Sequence, residues 1–267
     1  MKHMIDINSI EKTFNAGSVN QKRALNGLDL HLDEGDFVTV IGGNGAGKST
    51  MLNAIAGVFP VDKGEIYINN VNVTKLPEHK RAAFIGRVFQ DPMMGTCANM
   101  QIEENLAIAS RRGQRPGLRW SSRAKDREFF QERLSLLGLG LEERLTSRVG
   151  LLSGGQRQAL TLLMATLKKP DILLLDEHTA ALDPKTAAKV LEITDTIVGE
   201  YGLTTIMITH NMRDAIEHGN RLVMLNSGRV VVDIKKADYP NLCVQDLLQM
   251  FEKASGDVML SDGLLLS

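Results

Sequence analysis

Asp36-Phe37-Val38-Thr39-Val40-Ile41-Gly42-Gly43-Asn44-Gly45-Ala46-Gly47-Lys48-Ser49-Thr50 is the stretch that decides the fold. Its first six residues form a short apolar, β-branched run that reads as a buried strand. Residues 42–50 fit G-x-x-x-x-G-K-[ST]. Met51, Leu52, Ile55 and Ala56 then recur at helical spacing. Strand, glycine loop and helix thus follow in the order a phosphate cradle needs. Glycine permits positive φ and close backbone approach, so successive N–H groups can wrap phosphate oxygens while the positive helix end faces them. Gly42, Gly43, Asn44, Gly45, Ala46 and Gly47 supply that backbone. Lys48 is expected to reach the β- and γ-phosphates, and the hydroxyl of Ser49, next to Thr50, to ligate Mg²⁺.

Two further segments carry matching chemistry. Asp171-Ile172-Leu173-Leu174-Leu175-Asp176-Glu177 runs four aliphatic residues into two carboxylates. Such an unbroken run suits a strand buried on both faces, and ligands of open parallel sheets gather at strand carboxyl ends. Asp176 is suited to hold Mg²⁺ through water, and Glu177 to orient or deprotonate an attacking water. Alone, two acids capping a core strand are commonplace; the phosphate loop upstream gives them a task. Thr204-Thr205-Ile206-Met207-Ile208-Thr209 is another apolar strand, ending in His210. A neutral imidazole there could donate a hydrogen bond to the γ-phosphate. Lone histidines are more often surface residues, and the strand-end position is what singles this one out.

Leu152-Ser153-Gly154-Gly155-Gln156 is the remaining element. Ser153-Gly154-Gly155 can open a helix over 156–167, with Leu160, Leu163, Met164 and Leu167 on one side. Its N-terminus would offer backbone N–H groups and a hydroxyl to an anion. The chain already has one such helix end after residue 47; read plainly, Ser-Gly-Gly is a helix start after a loop.

In these segments the chain resembles the nucleotide-binding subunit of ABC (ATP-binding cassette) transporters. Leu152–Gln156 matches that family's signature motif in full. Gln90, within Val88-Phe89-Gln90-Asp91-Pro92, matches its Q-loop; Ala181-Leu182-Asp183 matches its D-loop; His210 matches its switch histidine. Phe14 occupies the place of the aromatic that stacks on adenine. The resemblance runs from residue 4 to about 232. It implies an α/β fold: a P-loop NTPase (RecA-like) parallel core with an antiparallel β subdomain and an inserted α-helical subdomain.

By the same resemblance the cofactors are ATP and Mg²⁺. Ser49, Gln90 and Asp176 serve the metal; Glu177, His210 and Gln90 serve catalysis. Ser153, Gly154, Gly155 and Gln156 act on ATP held by a second copy in a head-to-tail homodimer. Asp183 lines the dimer seam, while its plain reading before Pro184 is a helix N-cap; both readings stand. The implied partners are integral membrane permease subunits and, for an importer, an extracytoplasmic solute-binding protein.

Departures from the family pattern are His178, where most relatives have proline, Phe14 in place of the commoner tyrosine, and a helix after the signature without the usual arginines and alanines. None removes a phosphate or metal ligand. Residues 176–184 resemble cassettes of bacterial amino-acid importers, of an aromatic amino-acid type. An exporter or lipoprotein-release ATPase would share every motif. A cassette of translation or DNA repair usually brings a second cassette or a coiled coil in the lobe, and neither is visible. A P-loop kinase or GTPase would leave residues 152–156 unexplained.

A chain of 267 residues suits one domain with an inserted lobe. The net charge of −1 gives no bulk electrostatic case for nucleic acid. No apolar stretch approaches ~18 residues and the first six lack a signal-peptide core, so no membrane span is expected; the resemblance implies a peripheral place on the cytoplasmic face of the membrane. Cys97 and Cys243 are expected to be unpaired thiols. The expected core is 1–90 with 160–235, the helical lobe 91–159 and the tail 236–267. Antiparallel strands are expected at 4–14, 28–32 and 64–73, and parallel ones near 36–41, 84–89, 172–176, 204–209 and 221–225. Helices are expected through Ile102, Leu106 and Ile108, through Phe129, Phe130, Leu134 and Leu137 with one apolar face, and through Val244, Leu247, Leu248 and Phe251. A turn is expected at Ser227-Gly228-Arg229, and disorder over the last dozen residues. Arg111, Arg112, Arg115, Arg119, Arg123, Lys125 and Arg127, with Trp120 among them, read as a solvated loop or as a cationic face toward a permease and anionic headgroups.

Overall fold

The structure is a computed structural model that describes residues 3–114 and 124–255. Arg115, Arg119, Trp120, Arg123 and the last dozen residues lie outside the described residues. The chain divides into two compact units, one formed by residues 1–81 with 202–267 and the other by 82–201. The first begins with β1 (His3–Phe14), β2 (Lys22–Asp33), β3 (Phe37–Ile41), α1 (Lys48–Ala56), β4 (Lys63–Ile68), β5 (Val71–Asn72) and α2 (Glu78–Arg81). The second holds β6 (Ile85–Val88), α3 (Ile102–Ala109), α4 (Ala124–Ser135), α5 (Gly154–Thr166), β7 (Ile172–Asp176) and α6 (Pro184–Tyr201). The chain returns to the first with β8 (Thr205–Ile208), α7 (Met212–Glu217), β9 (Arg221–Asn226), β10 (Arg229–Lys235) and α8 (Val244–Ser255).

In the first unit, β2, β1, β4 and β5 form an antiparallel sheet in that order. Residues 64–73 are not one strand but a hairpin: Ile68 pairs with Val71 around Asn69 and Asn70, both at positive φ. Asparagine tolerates the left-handed region that a two-residue hairpin turn demands. β3 lies between β8 and β9, parallel to both. All five β3 residues are buried, as are all four of β8. β9 turns through Ser227 and Gly228 into antiparallel β10. Leu247 and Phe251 of α8 are buried against Ile41, Met212, Ala215, Leu222 and Met224, so this part of the tail belongs to the core.

Arg81 is an unexpected part of that unit. It is 2% exposed, and its guanidinium donates to the carbonyls of Ala54, Ile55, Thr74 and Leu76. Ala54 and Ile55 lie in the last turn of α1, whose carbonyls have no partners within the helix. Arg81 thus anchors the end of the helix whose start follows the glycine loop. Arg81→Met should orphan several buried carbonyls and lower stability by about 2–4 kcal/mol. Urea unfolding measures it, and an unchanged midpoint would rule out this anchoring role.

In the second unit β6 pairs with β7 in parallel. The four aliphatic residues of β7 are fully buried. The helix expected through Ile102, Leu106 and Ile108 is present, whereas the single apolar face expected of the next needs correction, and Leu137 lies beyond the end of α4. Ile108 is 56% exposed, because at about 100° per residue it falls well off the stripe shared by buried Ile102 and Leu106. Adjacent Phe129 and Phe130 cannot share one face either: Phe130 is buried near Leu134, and Phe129 is exposed. The arginine stretch is also no uniform solvated face. Arg112 donates to the carbonyls of Ala165 and Lys168 at the end of α5, and burial lowers its affinity for its proton. Arg127 of α4 grips Glu103 of α3 through two bonds of 2.6 and 2.9 Å. Cys97 and Cys243 are free thiols.

Candidate functional site

The glycine loop runs from the end of β3 into α1. Gly47 stands at the helix start with φ +105, and a Cβ there would sit 2.7 Å from the Ala24 carbonyl oxygen. Only glycine meets both demands. No side chain caps α1, so its first amides keep their donor capacity for an anion. Lys48 is buried and donates to the Gly42 and Gly43 carbonyls at 2.8 and 3.3 Å, which closes the loop on itself. Ser49 is exposed beside it. A cradle that only backbone can line, with a lysine at its base and a hydroxyl at its mouth, fits a Mg²⁺-bound polyphosphate.

Phe14 ends β1 in the same unit. Its ring meets Phe59 edge-on at 5.2 Å, and the Lys12 ammonium lies 5.7 Å from its centroid. Lys12 is itself held by the Pro60 carbonyl and Asp62, whose carboxyl it keeps below the usual range. Phe14 is therefore a braced, half-buried aromatic, suited to stacking on a base. His210 follows β8, half-buried, immediately before Asn211, which caps α7.

The second unit brings the other groups. Asp176 closes β7, and its carboxylate lies 3.5 Å from the Arg87 guanidinium of neighbouring β6. Arg87 in turn stacks over the Phe89 ring at 4.6 Å. Glu177 has φ +47, a left-handed backbone unusual for a non-glycine residue. Gln90 is exposed just beyond β6, and the Phe89 carbonyl before it accepts from Gln158 of α5 at 3.0 Å. Ser153 caps α5: its hydroxyl accepts from the Gln156 amide, while the Gln156 side chain accepts from the Ser153 amide. The hydroxyl hydrogen remains available to an acceptor, since a hydroxyl donates once and accepts twice. Ser153 and Gly154 are exposed, and Gly155 is buried. A Cβ on Gly155 would lie 2.1 Å from Thr186 Cγ2, so its lack of a side chain lets α5 meet the first turn of α6. Asp183 caps α6 through the Thr186 amide at 3.1 Å, and hydrogen bonds from Thr186 hold its carboxyl below the ordinary range.

Sequence reasoning missed Arg87, Gln158 and the Gly155–Thr186 contact. Arg87 left one signal, a cation inside an otherwise apolar strand; the other two depend on which helix packs against which. Among the described residues no three His, Cys, Asp or Glu side chains gather as a metal cluster. Mg²⁺ is ordinarily held by one or two protein oxygens together with water and phosphate oxygens, so it needs no such cluster.

A glycine cradle after a buried strand, and a buried strand ending in paired acids, define a P-loop nucleotide hydrolase. The ABC transporter family model matches residues 25–180. The chain is 43% identical to a "Tyrosine transport ATP-binding protein" of Clostridioides difficile (strain R20291) over 94% of its own length and 100% of that protein's. It is 33% identical to the "Spermidine/putrescine import ATP-binding protein PotA" of Fusobacterium nucleatum over 86% of this chain, spanning 57% of that relative. A dimeric structure of a post-hydrolysis state of the ATP-binding cassette MJ0796, bound to ADP and Pi, matches with TM-score 0.73 and 30% identity, covering 87% of this chain and 98% of that one. The chain belongs to the ABC transporter family. It is an ATPase that binds ATP with Mg²⁺, and its α/β P-loop fold is that of the cassettes. Bound Mg²⁺ neutralises phosphate oxygens as charge develops in transfer. No helix among the described residues is long and apolar enough to cross a membrane.

Proposed function

We propose that this chain powers a separate integral membrane permease that imports a small solute of the amino-acid class. The observation that carries the reading is the end-to-end match with a tyrosine transport ATP-binding protein, with no part of that relative left over. An extracytoplasmic solute-binding protein delivers the cargo, and the chain sits peripherally on the cytoplasmic face. Residues 91–159 form the helical lobe inserted in a core of 1–90 and 160–235.

In this reading Phe14 stacks on adenine and residues 42–50 hold the phosphates. Ser49, Gln90 and Asp176 serve Mg²⁺, Glu177 orients and deprotonates water, and His210 donates to the γ-phosphate. Two copies pair head to tail, so that Ser153, Gly154, Gly155 and Gln156 of one close on ATP held by the other, with Asp183 at the seam. The exposed, serine-capped start of α5 supports that arrangement: it offers an anion site on a chain that already has one. Phosphoryl transfer depends on positioning and charge stabilisation, so a pocket completed only by pairing makes hydrolysis conditional on closure.

The cargo class is tested by reconstituting the chain with the membrane protein that co-purifies with it and measuring ATP-dependent uptake. Aromatic amino acids should be accumulated and should stimulate ATP hydrolysis. Uptake of polyamines or thiamine instead, or outward movement, would overturn the cargo assignment.

A further inference from the structure

The left-handed backbone at Glu177 needs a cause. Strained conformations of this kind persist only where the surroundings over-determine them. On one side the buried strand β7 delivers the residue; on the other, the Ala180 amide donates to the Glu177 carbonyl at 3.0 Å. The next residue, His178, is 2% exposed, and its Nε2 lies 3.1 Å from the Thr194 hydroxyl in α6. That hydroxyl is committed as a donor to the Val190 carbonyl at 2.8 Å. It has one hydrogen to give, so toward the imidazole it accepts, and Nε2 carries the proton. Thr194 is a firm post: it is fully buried in the helix face that also buries Val190, Ile193, Ile197 and Val198.

We propose that His178 is a positioning residue for hydrolysis: clamped to Thr194 of α6, it holds the peptide after Glu177 and so maintains the left-handed backbone that sets the direction of the Glu177 carboxylate. The proposal rests on Glu177 acting on the attacking water. Nucleotide binding does not require that carboxylate to be aimed, so the clamp should govern turnover and leave affinity alone.

The test compares Thr194→Val, Thr194→Ser, His178→Ala and Glu177→Gln in the full chain. Each is measured for steady-state ATPase per nucleotide-binding site, for affinity for a fluorescent ATP analogue, and for thermal midpoint. Thr194→Val keeps the side-chain shape and removes the acceptor. It should lower kcat roughly ten- to hundred-fold with KM for ATP nearly unchanged. Thr194→Ser should restore kcat, because the hydroxyl returns. Combining Thr194→Val with His178→Ala should cost no more than His178→Ala alone, since both break one clamp. A merely structural role would lower the thermal midpoint and the number of binding sites, leave kcat per site at the wild-type value, and so overturn the proposal. Failure of serine to rescue would overturn it too, as would wild-type kcat in Thr194→Val and His178→Ala while Glu177→Gln stalls. If Glu177→Gln itself turned over normally, the role of Glu177 would fall first, and that outcome is distinct from the others.

Discussion

Glu177→Gln should bind MgATP with near wild-type affinity, release almost no phosphate and accumulate as an ATP-bound dimer. The amide keeps the size and hydrogen-bonding reach of the carboxylate but cannot take a proton. Loss of a positioned general base typically costs 10²–10⁴-fold in rate, or roughly 3–5 kcal/mol of barrier. ATP then persists between the two copies, and ligand that binds only the paired form holds it together. Single-turnover hydrolysis and size-exclusion chromatography with ATP read the two halves of the prediction. Wild-type turnover, or a monomer under saturating ATP, would remove Glu177 from its assigned role.

Lys48→Ala should have the second large effect, on binding itself. Lys48 donates to the Gly42 and Gly43 carbonyls, a short distance from the backbone amides of the same loop. Moving its ammonium from those neutral acceptors to phosphate oxygens creates charge-assisted bonds, each worth about 1.5–3 kcal/mol. Their loss should weaken ATP binding roughly 10²-fold. Because the same side chain also ties the loop together, affinity must be measured beside the thermal midpoint. An intact midpoint with weakened binding assigns the lysine to phosphate. Unchanged affinity would contradict that assignment.

The parts of the fold legible in the sequence were those encoded by local pattern. The strand, loop and helix at 36–56 followed from residue type and spacing, and β7 from four consecutive aliphatics. The break at Asn69-Asn70 was also local, yet the alternation on either side hid it inside one apparent strand. Ile108 marked its helix though it lies off the buried stripe, and Phe129 misled because an apolar residue near a helical stripe is not always on it. What stayed illegible was pairing at long range. Arg112 looked like one of several surface cations until the end of α5 supplied carbonyls for it. Gly155 was singled out for what it offers a phosphate, while its second constraint, Thr186, lies 31 positions on in another helix. His178 stood out only as a departure, and the Thr194 hydroxyl that gives it a partner could not be found from spacing.

The sharpest measurement mixes two inactive variants, Lys48→Ala and Ser153→Arg, and reads ATPase activity. In a head-to-tail pair of one of each, one pocket carries both changes and the other carries neither. A one-to-one mixture should therefore recover about a quarter of wild-type activity from material that is inactive when kept separate. If each copy instead built its whole catalytic pocket alone, mixing would leave the activity at the average of the two variants, and the shared pocket would be wrong.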